Sequence, residues 1–198
     1  MNKLQFIMVA CPQRQKFVDE VKALIPNLRI SMDDFPEGAC KYPTNAFLNF
    51  QRAWSWAGDS PSVMLEDDII LCDDFMEKIL YQIAQRPNEV IQFFSMRKDD
   101  LSIGSRYDTG SKFMMCQCYY LPSGLGAELH EYSKGYYEQM EDGVIPSDSC
   151  IASFLKHRKM KYWISVPSLV EHRIAPSIAG PGRSKYRQSK TFNNKHLK

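Results

Sequence analysis

Over the first 96 residues, short apolar runs alternate with amphipathic helical stripes, and no other feature constrains the fold as tightly. Residues 4–10 read as a buried strand. Pro12 suits a helix first turn, and Phe17, Val18, Val21, Leu24 and Ile25 form an apolar stripe ending at Pro26. Residues 28–32 give a second strand that runs into Asp33-Asp34, and a helix is expected from about 44 to 57 with Gly58 as its stop. A third strand at 63–65, a helix from about 74 to 86 and a fourth strand at 90–96 complete the pattern. Alternation of this kind calls for right-handed βαβ crossovers. The fold class is therefore α/β, a single domain with a mostly parallel central sheet flanked by helices.

The second half is less regular. Residues 98–112 are polar, with Gly104 and Gly110, and read as a mobile loop; residues 113–121 read as a long strand. Pro122-Ser123-Gly124 precedes a short helix at 125–132, and an acidic, glycine-containing loop is expected at 136–146. Ser147 or Asp148 opens a helix to about 157, and 161–166 is a strand capped by Pro167. The remainder carries no periodic apolar signal.

At 198 residues and 44% hydrophobic content the chain can bury a substantial core, and no segment is long enough to span a membrane. The six cysteines include no CxxC pair, which fits reduced thiols in a cytoplasmic protein rather than a zinc or disulfide framework. Residues 4–10 superficially resemble a signal peptide, but Gln5 interrupts them and a buried strand is preferred. Net charge is only +2, yet residues 171–198 carry seven basic side chains against Glu171. Such a stretch favours phosphate-bearing partners: a nucleotide diphosphate, a nucleic acid or an anionic surface.

In parallel α/β sheets, ligands bind beyond the carboxyl ends of the strands. Asp33-Asp34 falls there, as does Glu66-Asp67-Asp68; Asp148 stands at a later helix start, and His172 follows the last expected strand. Three successive carboxylates at a strand end are unfavourable unless a cation meets them, and hard oxygen ligands suit Mg²⁺ or Mn²⁺, above all when a diphosphate completes the coordination. Simpler roles compete. Asp74 with Glu77 fits a capping box, Asp148 fits an ordinary N-cap, and Tyr136-Tyr137 is core unless it stacks on a sugar or base.

Residues 63–75, with the Glu66-Asp67-Asp68 triplet, resemble the lipooligosaccharide-type glycosyltransferases, which carry a Glu-Asp-Asp variant of the DXD motif. The runs Ile145-Pro146-Ser147-Asp148-Ser149, Cys118-Tyr119-Tyr120-Leu121-Pro122-Ser123-Gly124-Leu125-Gly126-Ala127 and Val166-Pro167-Ser168-Leu169-Val170-Glu171-His172-Arg173 are similar to that family too. Small enzymes of this pattern occur in bacteriophage genomes. The resemblance implies a GT-A, Rossmann-like catalytic domain over 1–182, with 1–97 as the nucleotide-sugar half, 98–182 as the acceptor half and 183–198 as a basic tail.

It also implies roles. Asp68 is then the principal ligand of Mn²⁺ or Mg²⁺, Glu66 faces the same side, and His172 completes the metal site. Asp67 lies near the ribose or sugar, Asp33 contacts the nucleoside, and Asp148 is the general base if the anomeric centre is inverted. Arg183, Lys185 or Arg187 closes on the diphosphate. The donor is a nucleotide sugar, with UDP-sugar foremost, and the metal acts as a Lewis acid on the departing diphosphate. A hydroxymethylated pyrimidine in phage DNA fits the basic C-terminal stretch as acceptor, while lipopolysaccharide or another glycan follows from the family. If the acceptor is a base within duplex DNA, it must be flipped out, and the 98–112 loop is placed to assist. Two other classes compete: a metal-dependent nucleotidyltransferase or phosphodiesterase, weakened by the missing P-loop, and a non-catalytic nucleic-acid-binding module, which leaves the triplet unexplained.

Overall fold

The computed structural model describes residues 3–35, 45–139, 147–174 and 187–193. The expected alternation is present at its start. β1 (Gln5–Ala10) leads through a 3-10 turn at Pro12–Arg14 into α1 (Gln15–Lys22), then β2 (Arg29–Met32), α2 (Ala46–Ala57) and β3 (Ser62–Glu66). β4 (Ile69–Leu71), α3 (Phe75–Gln85), β5 (Ile91–Gln92), α4 (Asp100–Ile103), β6 (Arg106–Thr109) and β7 (Cys118–Leu121) follow. The chain continues with α5 (Leu125–Gln139), α6 (Ser147–His157), β8 (Lys161–Ile164) and β9 (Val170–His172).

The central sheet has seven strands in the order β2-β1-β3-β7-β5-β8-β6. β1 is parallel to β2 and β3, and β5 to β8, while β7 and β6 run against their neighbours. The sheet is thus mostly parallel, as expected. Alternate residues feed opposite faces: Ile7 and Met64 pack beneath α2, α5 and α6 with Phe47, Trp54, Leu129 and Phe154. Met8, Val63 and Leu65 pack beneath α1 and α3 with Val18, Val21, Phe75 and Ile79. Both faces being covered explains why these strands read as unbroken apolar runs. Helices α2 and α5 approach closely, because a Cβ on Gly126 would meet the Ala57 Cβ at 2.6 Å.

Several expectations are corrected. Residues 98–112 hold α4 and the edge strand β6, which alternates half-buried Arg106 and Asp108 with exposed neighbours. Fully buried Asp100 anchors the segment through Arg106 at 3.0 Å. The long strand at 113–121 shrinks to Cys118–Leu121, since Phe113 leaves the ladder to pack on Tyr119 and Tyr162. The next residues are held otherwise: Met115 takes a positive φ of 69°, and Gln92 donates its side-chain N–H to the Met115 carbonyl at 2.8 Å. α5 runs on to Gln139, so Tyr136 and Tyr137 are helical and lie against the Phe47 ring, leaving neither a loop residue to stack on a ligand. The capping box fails as well: Asp74 has φ 57° and makes no side-chain cap bond.

Candidate functional site

The carboxyl ends of β1, β2 and β3 share one rim, with Val9 opposite Glu66 and Ala10 opposite Met32. Asn49 on α2 ties two of these ends together, donating to the carbonyls of Ala10 and Ser31 at 2.9 Å each. Antiparallel β7 brings its amino end to the same rim, where the Glu66 N–H donates to the Gln117 carbonyl at 3.0 Å. A two-stranded ribbon completes the corner. β4 pairs antiparallel with β9, Ile69 faces His172, and the Arg173 N–H donates to the Asp68 carbonyl at 2.8 Å. This ribbon carries His172 to the acidic triplet.

Each triplet carboxylate has its own surroundings. Glu66 accepts from the Cys116 thiol at 2.9 Å and from the Gln117 amide at 3.0 Å. Burial, with the Asp68 charge beside it, pushes the Glu66 carboxyl up to about 7. Asp67 uses both oxygens: Oδ2 accepts the Cys11 backbone N–H at 2.9 Å and its thiol at 3.2 Å, while Oδ1 receives Arg14 Nη1 at 2.8 Å. Asp68 Oδ2 receives the same Nη1 at 2.7 Å and lies 3.3 Å from His172 Nε2. Asp68 Oδ1 is buried without a hydrogen-bond partner among the described residues.

The two aspartates share one guanidinium, yet their acidities move apart. Burial dominates at Asp67 and raises it. Burial also opposes ionisation of Asp68, but the hydrogen bond and charge of His172, with Arg14, outweigh it and hold that carboxyl below its usual range. His172 makes the difference. Burial disfavours its imidazolium, but Asp68 and Glu66 overcome that and raise the histidine. The Cys11 thiol, pushed up to about 12 by burial and then by Asp67, stays protonated and serves as a donor.

The remaining expected residues divide. Asp148 sits in the first turn of α6 and accepts the Met115 N–H at 3.0 Å, which ties that helix to a crossing segment. Met115 precedes Cys116, whose thiol donates to Glu66, so Asp148 is linked to the triplet through that segment. Asp33 follows β2, with β1 between it and β3 in the sheet; burial raises its carboxyl, and its Oδ1 is buried without a hydrogen-bond partner among the described residues. No hydrogen bond or ion pair among the described residues joins Asp33 to the triplet. Arg187 lies near enough to His172 to depress it electrostatically. Two residues on, Ser189 donates to Glu171 at 3.0 Å and to Ser168 at 2.8 Å. Arg183 and Lys185 lie outside the described residues.

Arg14, Cys11, Cys116 and Gln117 were not anticipated as site residues. The only sequence signal for Arg14 was its place just after a strand end. Among the described residues no three His, Cys, Asp or Glu side chains converge to hold a metal ion. Glu66 is turned to Cys116 and Gln117, and Arg14 occupies the facing oxygens of Asp67 and Asp68. The unspent Asp68 oxygen and the adjacent imidazole still form a hard oxygen–nitrogen donor pair. That fits a cation shared with a diphosphate, not one caged by protein alone.

No family model and no curated protein matches the chain. Among solved structures, A197 from STIV is similar over 86% of both chains, at 10% identity and TM-score 0.50. UDP-glucose pyrophosphorylase from Acinetobacter baumanii is 12% identical and covers 81% of this chain and 61% of its own, at TM-score 0.44. The first likeness concerns the fold alone, a mixed α/β domain on a seven-stranded sheet. No helix among the described residues is long and apolar enough to cross a membrane.

Proposed function

We propose that this rim binds a nucleotide sugar together with Mn²⁺ or Mg²⁺, and that the protein is a GT-A-type glycosyltransferase acting on a hydroxyl acceptor. One observation carries the reading: the β4–β9 ribbon sets His172 Nε2 3.3 Å from Asp68, at the carboxyl ends of a mostly parallel sheet. That is where α/β sheets of this kind hold ligands. The sequence resemblance had paired the same two residues.

Asp68 through Oδ1 and His172 through its imidazole are the protein ligands. When bound, the cation offsets charge on the departing nucleoside diphosphate. Glu66 stands behind them, held by Cys116 and Gln117, and tunes His172 through its charge. Asp33, one oxygen of which is buried with no hydrogen-bond partner among the described residues, takes a donor group of the nucleoside. Asp148 accepts the acceptor hydroxyl proton, its other interactions fixed by Met115. Arg187, with Arg183 and Lys185, supplies positive charge for the diphosphate. A UDP-sugar is the proposed donor. Hydroxymethylated DNA is the proposed acceptor, supported by the basic C-terminal stretch, with a glycan as its competitor.

The test is incubation with a panel of nucleotide sugars and Mn²⁺ while nucleoside diphosphate release is followed. Slow donor hydrolysis is expected, abolished by chelator and accelerated by hydroxymethylated DNA or by a glycan. Turnover that instead requires added pyrophosphate and yields nucleoside triphosphate and sugar 1-phosphate marks a nucleotidyltransferase. No turnover and no binding with any donor sinks the proposal.

A further inference from the structure

One guanidinium nitrogen, Arg14 Nη1, bridges Asp67 at 2.8 Å and Asp68 at 2.7 Å in a corner nearly closed to water, the Arg14 side chain being 14% exposed. Two adjacent buried carboxylates cannot both stay ionised without a cation between them. A guanidinium and a divalent metal ion repel each other and need the same Asp68 carboxylate. They therefore compete at this position, the guanidinium on Oδ2 and the metal ion on Oδ1 of one buried carboxylate.

We propose that Arg14 is the resident counter-cation of the acidic triplet, and that it yields its place only when a divalent cation arrives with a diphosphate to receive the displaced guanidinium. This inference rests on the reading of the rim as a metal–diphosphate site and adds the order in which its parts assemble. Three observations support the exchange. Asp67 keeps the Cys11 backbone N–H at 2.9 Å, so the turn after β1 stays anchored while the Arg14 side chain leaves. Arg14 lies on the 3-10 turn immediately beyond β1, on the rim where a diphosphate would sit. Asp68 Oδ1 is buried and unpartnered among the described residues, a half-made site awaiting a ligand that the guanidinium does not satisfy. The planar fork of arginine, one nitrogen of which bridges the two carboxylates, then pairs with phosphate oxygens. Metal alone is refused, and metal with diphosphate is accepted.

The experiment is a Mn²⁺ titration of the full chain, following the electron paramagnetic resonance signal of the free ion. It is run alone and with UDP or GDP, each against a protein-free titration that accounts for the metal–nucleotide complex in solution. Wild type binds Mn²⁺ weakly alone and much more tightly with a diphosphate. Arg14→Gln binds Mn²⁺ alone at least about tenfold more tightly than wild type and loses a similar factor of the diphosphate enhancement. If Arg14→Gln folds only with Mn²⁺ present, its melting temperature will depend on the metal far more steeply than that of wild type, which supports the exchange equally. Arg14→Lys, which keeps the charge but not the fork, retains weak metal binding and loses the enhancement. Equal Mn²⁺ affinity in wild type and Arg14→Gln, both binding, overturns the exchange while leaving the metal site intact. Absence of Mn²⁺ binding by either protein, with or without diphosphate, overturns the underlying reading.

Discussion

Two arginine–carboxylate pairs stand on the same rim and share little beyond their chemistry. Past the end of β2, Arg52 meets Asp34 at 2.6 Å, and the Asp34 side chain is 68% exposed. Past the end of β3, Arg14 meets Asp67 and Asp68, whose side chains are only 6% and 8% exposed. Arg52 does not depend on its partner: it donates to Ser31 Oγ at 2.9 Å and lies over the Phe35 ring at 4.5 Å. Water screens such a surface pair, and it contributes little to folding. The buried cluster is different in kind. It bears the desolvation of several charges, leaves an Asp68 oxygen without a hydrogen-bond partner among the described residues and adds a histidine. Stability alone gives no reason for that arrangement, because apolar residues would serve as well or better. The proposed metal and diphosphate would give one.

The contrast can be broken by substitution. The largest effect is expected at Asp67, where alanine strands the Cys11 N–H and unbalances Arg14; a loss of roughly 3–5 kcal/mol should appear in urea denaturation. A loss no greater than that of Asp34→Ala would erase the distinction between the two pairs. Next comes Asp68→Asn, which should lower donor hydrolysis by about 100-fold or more with an unchanged far-ultraviolet circular dichroism spectrum. Retained turnover would remove Asp68 from the site.

Glu66 gives a smaller, pH-dependent effect. Its folded-state acidity constant, about 7, lies above its ordinary value of 4.5, so the folded protein holds a proton that the unfolded chain has already released. The stability from this group is complete below about 4.5 and is lost as pH rises towards about 7. The slope from this single group is at most about 1.4 kcal/mol per pH unit. Glu66→Gln should flatten the fall across that window, and denaturation curves of identical slope in both proteins would contradict the assignment. Smallest of all is Asp34→Ala, for which no shift in the denaturation midpoint is expected; a clear shift would make the exposed pair more than a surface contact.

The part of the fold legible in the sequence is the part whose strands are buried on both faces. Residues 6–10 and 63–65 are apolar without interruption because helices cover them front and back, and the helical stripes between them are equally plain. Beyond residue 90 the ladder segments are short, and long-range contacts decide the rest. Phe113 leaves its expected strand for two aromatic partners, and β6 forms in a polar segment because buried Asp100 holds Arg106. β4 was hidden because the four residues between two acidic pairs look like a turn, yet its pairing with β9 is what brings His172 to Asp68. The triplet could be read locally. The guanidinium across from it could not, since nothing near Arg14 in the sequence records a partner more than 50 residues away.

Calorimetric titration of UDP into the protein, with and without Mn²⁺, for wild type and for Asp68→Asn, bears most directly on the claim that this rim grips a cation which grips a diphosphate. Binding that requires Mn²⁺ in wild type and vanishes in Asp68→Asn is the expected result. Binding of equal strength in all four titrations, or binding in none, would contradict it.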